Sequence, residues 1–150
     1  MARLEYRLFD EGKQFPVQYF YDRIGKPEIA MRMTCDYFVK AGQIFEKTSV
    51  AIDGGTYVIY VQPAVEEHVV DPKQKADGKT IRIELRQFQE DAAYYPVIHK
   101  YEFRDEMEAL LHMQSNFLYL YGKEWEKTSA EIDEDRNVYV WYAKATELGG

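Results

Sequence analysis

Two segments of the chain, one near the start of each half, carry an apolar residue at every second position. They are residues 3–8 and residues 82–86, and charged side chains fill the positions between. Strict alternation over a short run is typical of a strand with one buried face. Each segment therefore predicts a first strand, and a second strand is predicted after a turn, at residues 17–22 and 97–103.

Apolar residues at helical spacing follow each second strand, and they predict one helix in each half. The stripes consist of Met107, Leu110, Leu111, Phe117, Leu118 and Tyr121 and, more weakly, of Ala30, Met31, Tyr37, Phe38 and Ala41. Asp105 followed three residues later by Glu108 indicates a capped helix start. Gly42 and Gly122 stand where a left-handed residue would end each helix.

Each half ends in a pattern that predicts a hairpin. In the first half, residues 46–52 and 56–62 flank the turn sequence Asp53-Gly54-Gly55. The second half has a longer turn at residues 133–137. The predicted module is thus β-β-α-β-β, used twice.

The two halves also repeat in sequence. At a shift of 80, nine of the 26 residues between positions 28 and 53 are identical to their counterparts. We therefore predict an α+β fold built by tandem duplication of a β-β-α-β-β module. The expected arrangement is antiparallel sheet(s) with two helices on one side and a pseudo-two-fold axis. Whether the two repeats share one sheet stays open.

The repeat also sets the expected domain organisation. We predict a single domain over residues 1–150, with repeat 1 at about residues 3–62 and repeat 2 at about 81–144. The linker at residues 63–80 is polar and charged, as is typical of a surface connection.

Composition and charge narrow the classes of partner. The net charge of −7 opposes binding to nucleic acid and to anionic membrane surfaces, both of which favour clustered lysine and arginine. Cys35 is the sole cysteine, and no signal-peptide pattern or run of 18 apolar residues occurs, so we expect a cytoplasmic protein. The three histidines lack metal-ligand spacing, and no glycine-rich phosphate loop is present. We therefore predict no metal, no cofactor and no catalytic residue.

A repeated Glu-Lys-Thr-Ser sequence provides polar candidates at the seam between the repeats. The candidates are Glu46, Lys47, Thr48, Glu126, Lys127 and Thr128. Two copies about a two-fold axis would place carboxylates, ammonium groups and hydroxyls around a shared cleft. The alternative, which we favour, is a polar entry into a strand, with the hydroxyls satisfying backbone groups and the Glu-Lys pairs exposed to solvent.

Aromatic residues are abundant, at 15% of the chain, and they occupy both alternation phases of the predicted strands. Some of them should therefore face away from the helices, as a ligand cleft, a barrel interior or a partner surface. The candidate residues are Tyr19, Tyr21, Tyr57, Tyr60, Tyr139, Trp141 and Tyr142. The alternative is that these tyrosines form an ordinary, partly solvent-exposed face of a sheet.

These patterns lead to three hypotheses on function. The first is a small non-enzymatic binding or regulatory protein that holds a small ligand or a protein partner at the aromatic cleft or face between the repeats. The second is an enzyme of unfamiliar type that uses carboxylates and tyrosines at the seam, with Glu46 and Glu126 as the pair. The third is an assembly protein that pairs through its edge strands. The sequence leaves the ligand, the partner and the oligomeric state open.

Overall fold

The computed structural model describes residues 1–64, 75–89 and 95–146. The elements, in chain order, are β1 (Ala2–Leu8), a 3-10 turn (Glu11–Lys13), β2 (Val17–Ile24), α1 (Lys26–Thr34), β3 (Tyr37–Lys40), β4 (Gln43–Asp53), β5 (Thr56–Pro63), β6 (Ile81–Gln87), β7 (Val97–Phe103), α2 (Glu106–Gln114), β8 (Phe117–Leu120), β9 (Lys123–Asp133) and β10 (Val138–Ala145). Both halves therefore have the order β-β-α-β-β-β. The residues of the predicted linker that fall at 65–74 lie outside the described part.

The ten described strands form one mixed sheet, so the halves share a sheet. Its order is β2-β1-β5-β4-β3-β9-β10-β6-β7, with β8 paired to β9 beside that path. The expectation of a purely antiparallel sheet is wrong, because β1 pairs with β5, β6 with β10 and β3 with β9 in parallel. The outermost strands β2 and β7 do not meet, so the sheet is open.

The helices are shorter than predicted, and each is followed by an additional strand. They end at Thr34 and Gln114, and the next residue at each end has extended backbone. Four of the remaining stripe residues lie in β3 and β8, each of which makes a hairpin with the following strand, and Ala41 and Tyr121 lie in the turns. Aromatic and β-branched residues in these segments favour strands over helices.

Gly42 and Gly122 lie in the turns of these hairpins instead of ending the helices. Both have positive φ, and so have the residues before them, Ala41 and Tyr121. Two consecutive residues with positive φ are typical of a two-residue hairpin turn, in which glycine is favoured at the second position. The hairpin predicted at Asp53-Gly54-Gly55 is confirmed, since β4 and β5 pair up to the turn.

Both helices pack on the same face of the sheet. Residues of α1 and α2 belong to one hydrophobic core with strands from both halves, and the helices contact each other. Ile29 and Met113 come from the helices, and Tyr6, Leu85 and Trp141 come from the strands. The prediction of two helices on one side is therefore confirmed.

The opposite face of β10 packs a small second cluster, and a buried ion network lies beside it. Arg136 donates to Glu84 at 3.0 Å and to Asp133 at 2.7 Å, and Arg86 donates to Glu84 at 2.9 Å. All four side chains are buried. Charged groups are tolerated in such a position only when they are paired and hydrogen-bonded.

Candidate functional site

A cleft of about 660 Å³ lies between the two halves of the chain. One wall comes from the start of α1, and the other comes from the start of β6, the β7–α2 junction and the start of β10. A volume of this size suits a small molecule.

Three buried residues with mainly apolar side chains belong to the lining of the cleft. Met31, Phe103 and Tyr139 line the cleft and are almost fully buried. The hydroxyl of Tyr139 is buried and has no hydrogen-bond partner within the described ranges. Burial raises the pKa of Tyr139 well above its ordinary value, so the hydroxyl stays protonated and can donate. Because this hydroxyl has almost no accessible surface, Tyr139 contributes its other atoms to the lining of the cleft.

The rim of the cleft is charged, and the charges that lack a partner in the described part of the chain are mainly positive. Lys79, Arg104 and Glu106 line the cleft and form no ion pair with any described residue. The other two charged side chains of the rim are already paired, Arg82 with Glu102 at 2.7 Å and Glu28 with Arg32 at 3.4 Å. Among the described residues the rim thus has two unpaired cations and one unpaired carboxylate, which favours an anionic group on a ligand although the whole chain carries −7.

A cluster of paired charges and tyrosines, with the buried Arg32 at its centre, adjoins the cleft behind Glu28. Arg32 is 5% exposed, donates to the hydroxyl of Tyr6 at 3.3 Å and lies over the ring of Tyr21 at 4.8 Å. Lys40 donates to the hydroxyl of Tyr21 at 3.2 Å, and Glu134 accepts a hydrogen bond from the same hydroxyl. Burial and the bond to Glu134 raise the pKa of Tyr21. This network holds the wall of the cleft on the α1 side in place.

The structure does not bring the predicted aromatic residues onto one face. Tyr19, Tyr21 and Tyr57 pack at the margin of the core on the helix side. Tyr60 lies on the opposite face, in contact with two phenylalanine rings.

The three aromatic candidates of β10 are buried, and they point to both sides of the sheet. Tyr139 and Trp141 belong to the main core, whereas Tyr142 belongs to the second cluster. Among all seven candidates, Tyr139 is the one that lines the inter-half cleft.

The repeated Glu-Lys-Thr-Ser sequence has the same local role in both halves. Lys47 donates to the carbonyl of Met33 at 2.8 Å, and Lys127 donates to the carbonyl of Met113 at 2.9 Å. These carbonyls belong to the last turn of each helix, where a cation is favoured. Thr48 and Thr128 fall at the two points where the strand register shifts, as in a β-bulge.

The carboxylate pair of the enzyme hypothesis is not brought together. Glu46 pairs across Tyr37 with Glu131, and Glu126 lies five residues before Glu131 on the same strand. Two strand spacings of about 4.8 Å and five residues of about 3.3 Å put Glu46 and Glu126 about 19 Å apart. Two carboxylates that act on one bond are usually within about 10 Å of each other.

Other classes of site find no support within the described ranges. No group of three histidine, cysteine or carboxylate side chains there could hold a metal ion. No helix in those ranges is long and apolar enough to cross a membrane.

Sequence reasoning missed two parts of this region. The cleft contains Gly78, Lys79 and Thr80 from the predicted linker, and local patterns do not show where a connection packs. The burial of Arg32 was also missed. The one available signal was its position in the apolar stripe of α1, directly beside Met31.

Comparison of the sequence with protein-family models and with curated proteins, and of the structure with solved structures, returned no match.

Proposed function

We propose that this chain is a non-enzymatic binding protein that holds a small amphipathic anion in the cleft between its halves. The observation that carries the proposal is the lining of that cleft, which combines the buried side chains of Met31 and Phe103 with the cations Lys79 and Arg104. An apolar floor with a few convergent polar groups is the usual form of a small-molecule site. The apolar body of the ligand would contact Met31 and Phe103, and its anionic group would meet Lys79 and Arg104.

We further propose that the halves are copies of one module related by a pseudo-two-fold axis, with the cleft between them. The nine identities at a shift of 80 support this, as does the shared order of elements. The matching bonds of Lys47 and Lys127 to the last turn of each helix support it as well.

The test fills the cleft without disturbing the backbone. Gly25 lines the cleft with extended backbone, and a Cβ added there would meet no atom closer than 3.8 Å. Gly25→Trp would therefore occupy the space of the ligand. Gly55→Trp is the matched control, because Gly55 lies in an exposed turn away from the cleft and a Cβ added there would meet no atom within 4 Å.

The readout is the melting temperature in the presence of the small-molecule fraction of the host cell. A ligand present at about 100 times its Kd adds about 2.7 kcal/mol, which for a chain of this size raises the melting temperature by about 5–10 °C. We expect that rise in the wild type and in Gly55→Trp, and its loss in Gly25→Trp. Equal rises in all three proteins would place binding elsewhere, and no rise in any of them would contradict the proposal.

A further inference from the structure

β3 fills the space between the start of β4 and the end of β9. It pairs antiparallel with residues 43–46 of β4 and parallel with residues 131–133 of β9. β4 and β9 are therefore antiparallel to each other, and the end of β4 lies beside the start of β9, where β8 pairs with residues 123–126. The outer edge of β8 and residues 47–53 of β4 thus face each other across one gap, and no pairing joins them in the described part of the chain.

The gap lies where β4 and β9 diverge. Where β3 lies between them, these strands are two strand spacings apart, about 9.6 Å. At the same separation, β8 would lie one spacing of about 4.8 Å from β4 and would pair with it. Since these strands are not paired, β4 and β9 move apart beyond β3. The β3–β9 pairing is thus a closed junction, and its counterpart at β8 is an open junction.

Apolar side chains at the open junction are exposed, whereas their counterparts at a shift of 80 are buried. Ile52 on β4 is 70% exposed and Ile132 on β9 is 4% exposed. Leu111 on α2 is 58% exposed, whereas Met31 at the same position of α1 is 1% exposed. Closure of the open junction would cover this surface, and burial of apolar surface is favourable.

The turn after β9 holds the closed junction with two carboxylates. The side chain of Asp135 accepts hydrogen bonds from the amides of Ala41 at 2.7 Å and Gly42 at 2.8 Å. Glu134 pairs with Lys40 at 3.4 Å. These contacts join the β3–β4 turn to the β9–β10 turn and act as a latch.

The open junction lacks this latch. Gly54 and Gly55 stand at the positions of the two carboxylates, and Leu120 stands at the position of the lysine. Tyr121 and Gly122 form the facing turn, with positive φ at both residues as in its counterpart. The open junction therefore keeps the turn that presents the amides but has no side chain to accept from them.

We propose that β8 is a strap that closes onto the end of β4 in the same chain, and that the missing latch leaves it free to open. At a shift of 80, the register of the closed junction places Phe117 opposite Ala51. The same register brings Leu118 beside Ile52. Because α1 contacts β9 at the closed junction, α2 follows β8 and covers Leu111.

One pair of hydrogen bonds at the closed junction has a counterpart in the closed form of the strap. The amide of Ala130 donates to the Asp36 side chain at 2.8 Å, and the amide of Asp36 donates to the carbonyl of Ala130 at 2.8 Å. The residues at a shift of 80 are Val50 and Asn116. The side-chain carbonyl of asparagine accepts the same bond as a carboxylate, so closure gives the amide of Val50 a partner.

A disulfide across the gap tests the closure. In a chain that carries both Ala51→Cys and Phe117→Cys, the proposed register puts the two Cα atoms about 5 Å apart, which a disulfide spans. We expect mild oxidation to form this bond within one chain, seen as a faster band on a non-reducing gel and located by peptide mass spectrometry. Cys35 is 2% exposed and does not compete.

The matched control pairs Phe117→Cys with Phe20→Cys. Phe20 is also exposed, but it lies on β2 at the far edge of the sheet, so this pair should form no disulfide within one chain. Absence of the intrachain disulfide between positions 51 and 117 would overturn the proposal, and so would its formation at the same rate as in the control.

Hydrogen exchange of the Val50 amide, followed by nuclear magnetic resonance, tests the missing latch. Gly55→Asp restores an acceptor opposite the turn at Tyr121 and Gly122, and a Cβ at Gly55 meets no atom within 4 Å. We expect the protection of the Val50 amide to rise about tenfold, as one added hydrogen bond of about 1.4 kcal/mol in the closed form implies. Gly55→Ala adds no acceptor and should leave the protection unchanged. An unchanged amide in Gly55→Asp, or an equal rise in both variants, would overturn the proposal.

Discussion

Replacement of Glu84 by glutamine should strongly destabilise the fold, whereas the same change at Glu5 should have a small effect. Glu84 and Glu5 occupy the same position of β6 and β1, and each carboxylate accepts bonds from two arginines. The arginines of Glu84 have side chains that are 4% and 0% exposed. Those of Glu5 are 36% and 18% exposed, so water can replace the lost charge there.

The expected magnitude follows from this difference in burial. Removal of one partner from a buried ion network destabilises a protein by about 3–5 kcal/mol, because the other charges stay buried without compensation. Solvent-exposed pairs contribute about 1 kcal/mol or less. We therefore expect Glu84→Gln to lower the free energy of unfolding by about 3–4 kcal/mol and Glu5→Gln to lower it by at most about 1 kcal/mol.

Urea unfolding followed by circular dichroism measures both values, with unchanged m-values as the sign that the variants unfold as the wild type does. Losses that agree within about 0.5 kcal/mol would refute the reasoning, since burial would then make no difference.

The same network gives a pH dependence. Burial alone raises the pKa of Glu84, but the hydrogen bonds and charges of Arg136 and Arg86 outweigh it and hold the pKa below its ordinary value of 4.5. The stabilisation is therefore complete above pH 4.5 and is lost as the pH falls through the folded-state pKa. The difference between wild type and Glu84→Gln should shrink in acid.

Three further predictions concern local features. Lys127→Met should lower the free energy of unfolding, measured by thermal melting, by about 1–2 kcal/mol, because the carbonyl of Met113 loses its charged donor. Lys123 is exposed, so the control Lys123→Met should leave the melting temperature unchanged. Ala41→Gly should raise the melting temperature, with a gain of about 0.5–1 kcal/mol, because Ala41 has a φ of +53°; an unchanged or lower value would contradict this. Cys35 is buried, which raises its pKa, so an aromatic disulfide reagent should label it only after unfolding, and labelling of the native protein would show that the helix end opens.

Local patterns predicted the first two strands of each half and the hairpin that ends it, because alternation and turn residues act within a few positions. The alternation in β1 and β6 is matched by buried residues of the main core. The turn at Gly54 was also found, since positive φ there requires glycine or a similar residue.

The ends of the helices could not be predicted from the apolar stripe alone. Phe38 and Leu118 fit a helical spacing, yet they lie in strands that pair with a distant part of the chain or with the next strand. Pairing of β3 with β9 spans almost 100 residues, and its contribution is absent from any local window.

The candidate site was predictable only in outline. A cleft between the halves was expected, but the aromatic residues expected to line it are mostly core residues. Alternation shows which residues share a face of a strand, but it does not show which face the rest of the chain covers. The repeated Glu-Lys-Thr-Ser sequence was expected to be structural with its lysines exposed to solvent, but Lys47 and Lys127 are half-buried and donate to helix carbonyls.

Native mass spectrometry of the protein, purified gently from its own host, tests the binding function most directly. The account predicts a mass excess of a few hundred daltons on the wild type and on Gly55→Trp, and none on Gly25→Trp, whose new side chain fills the cleft. An excess that persists in Gly25→Trp, or a bare chain mass in all three proteins, would contradict the account.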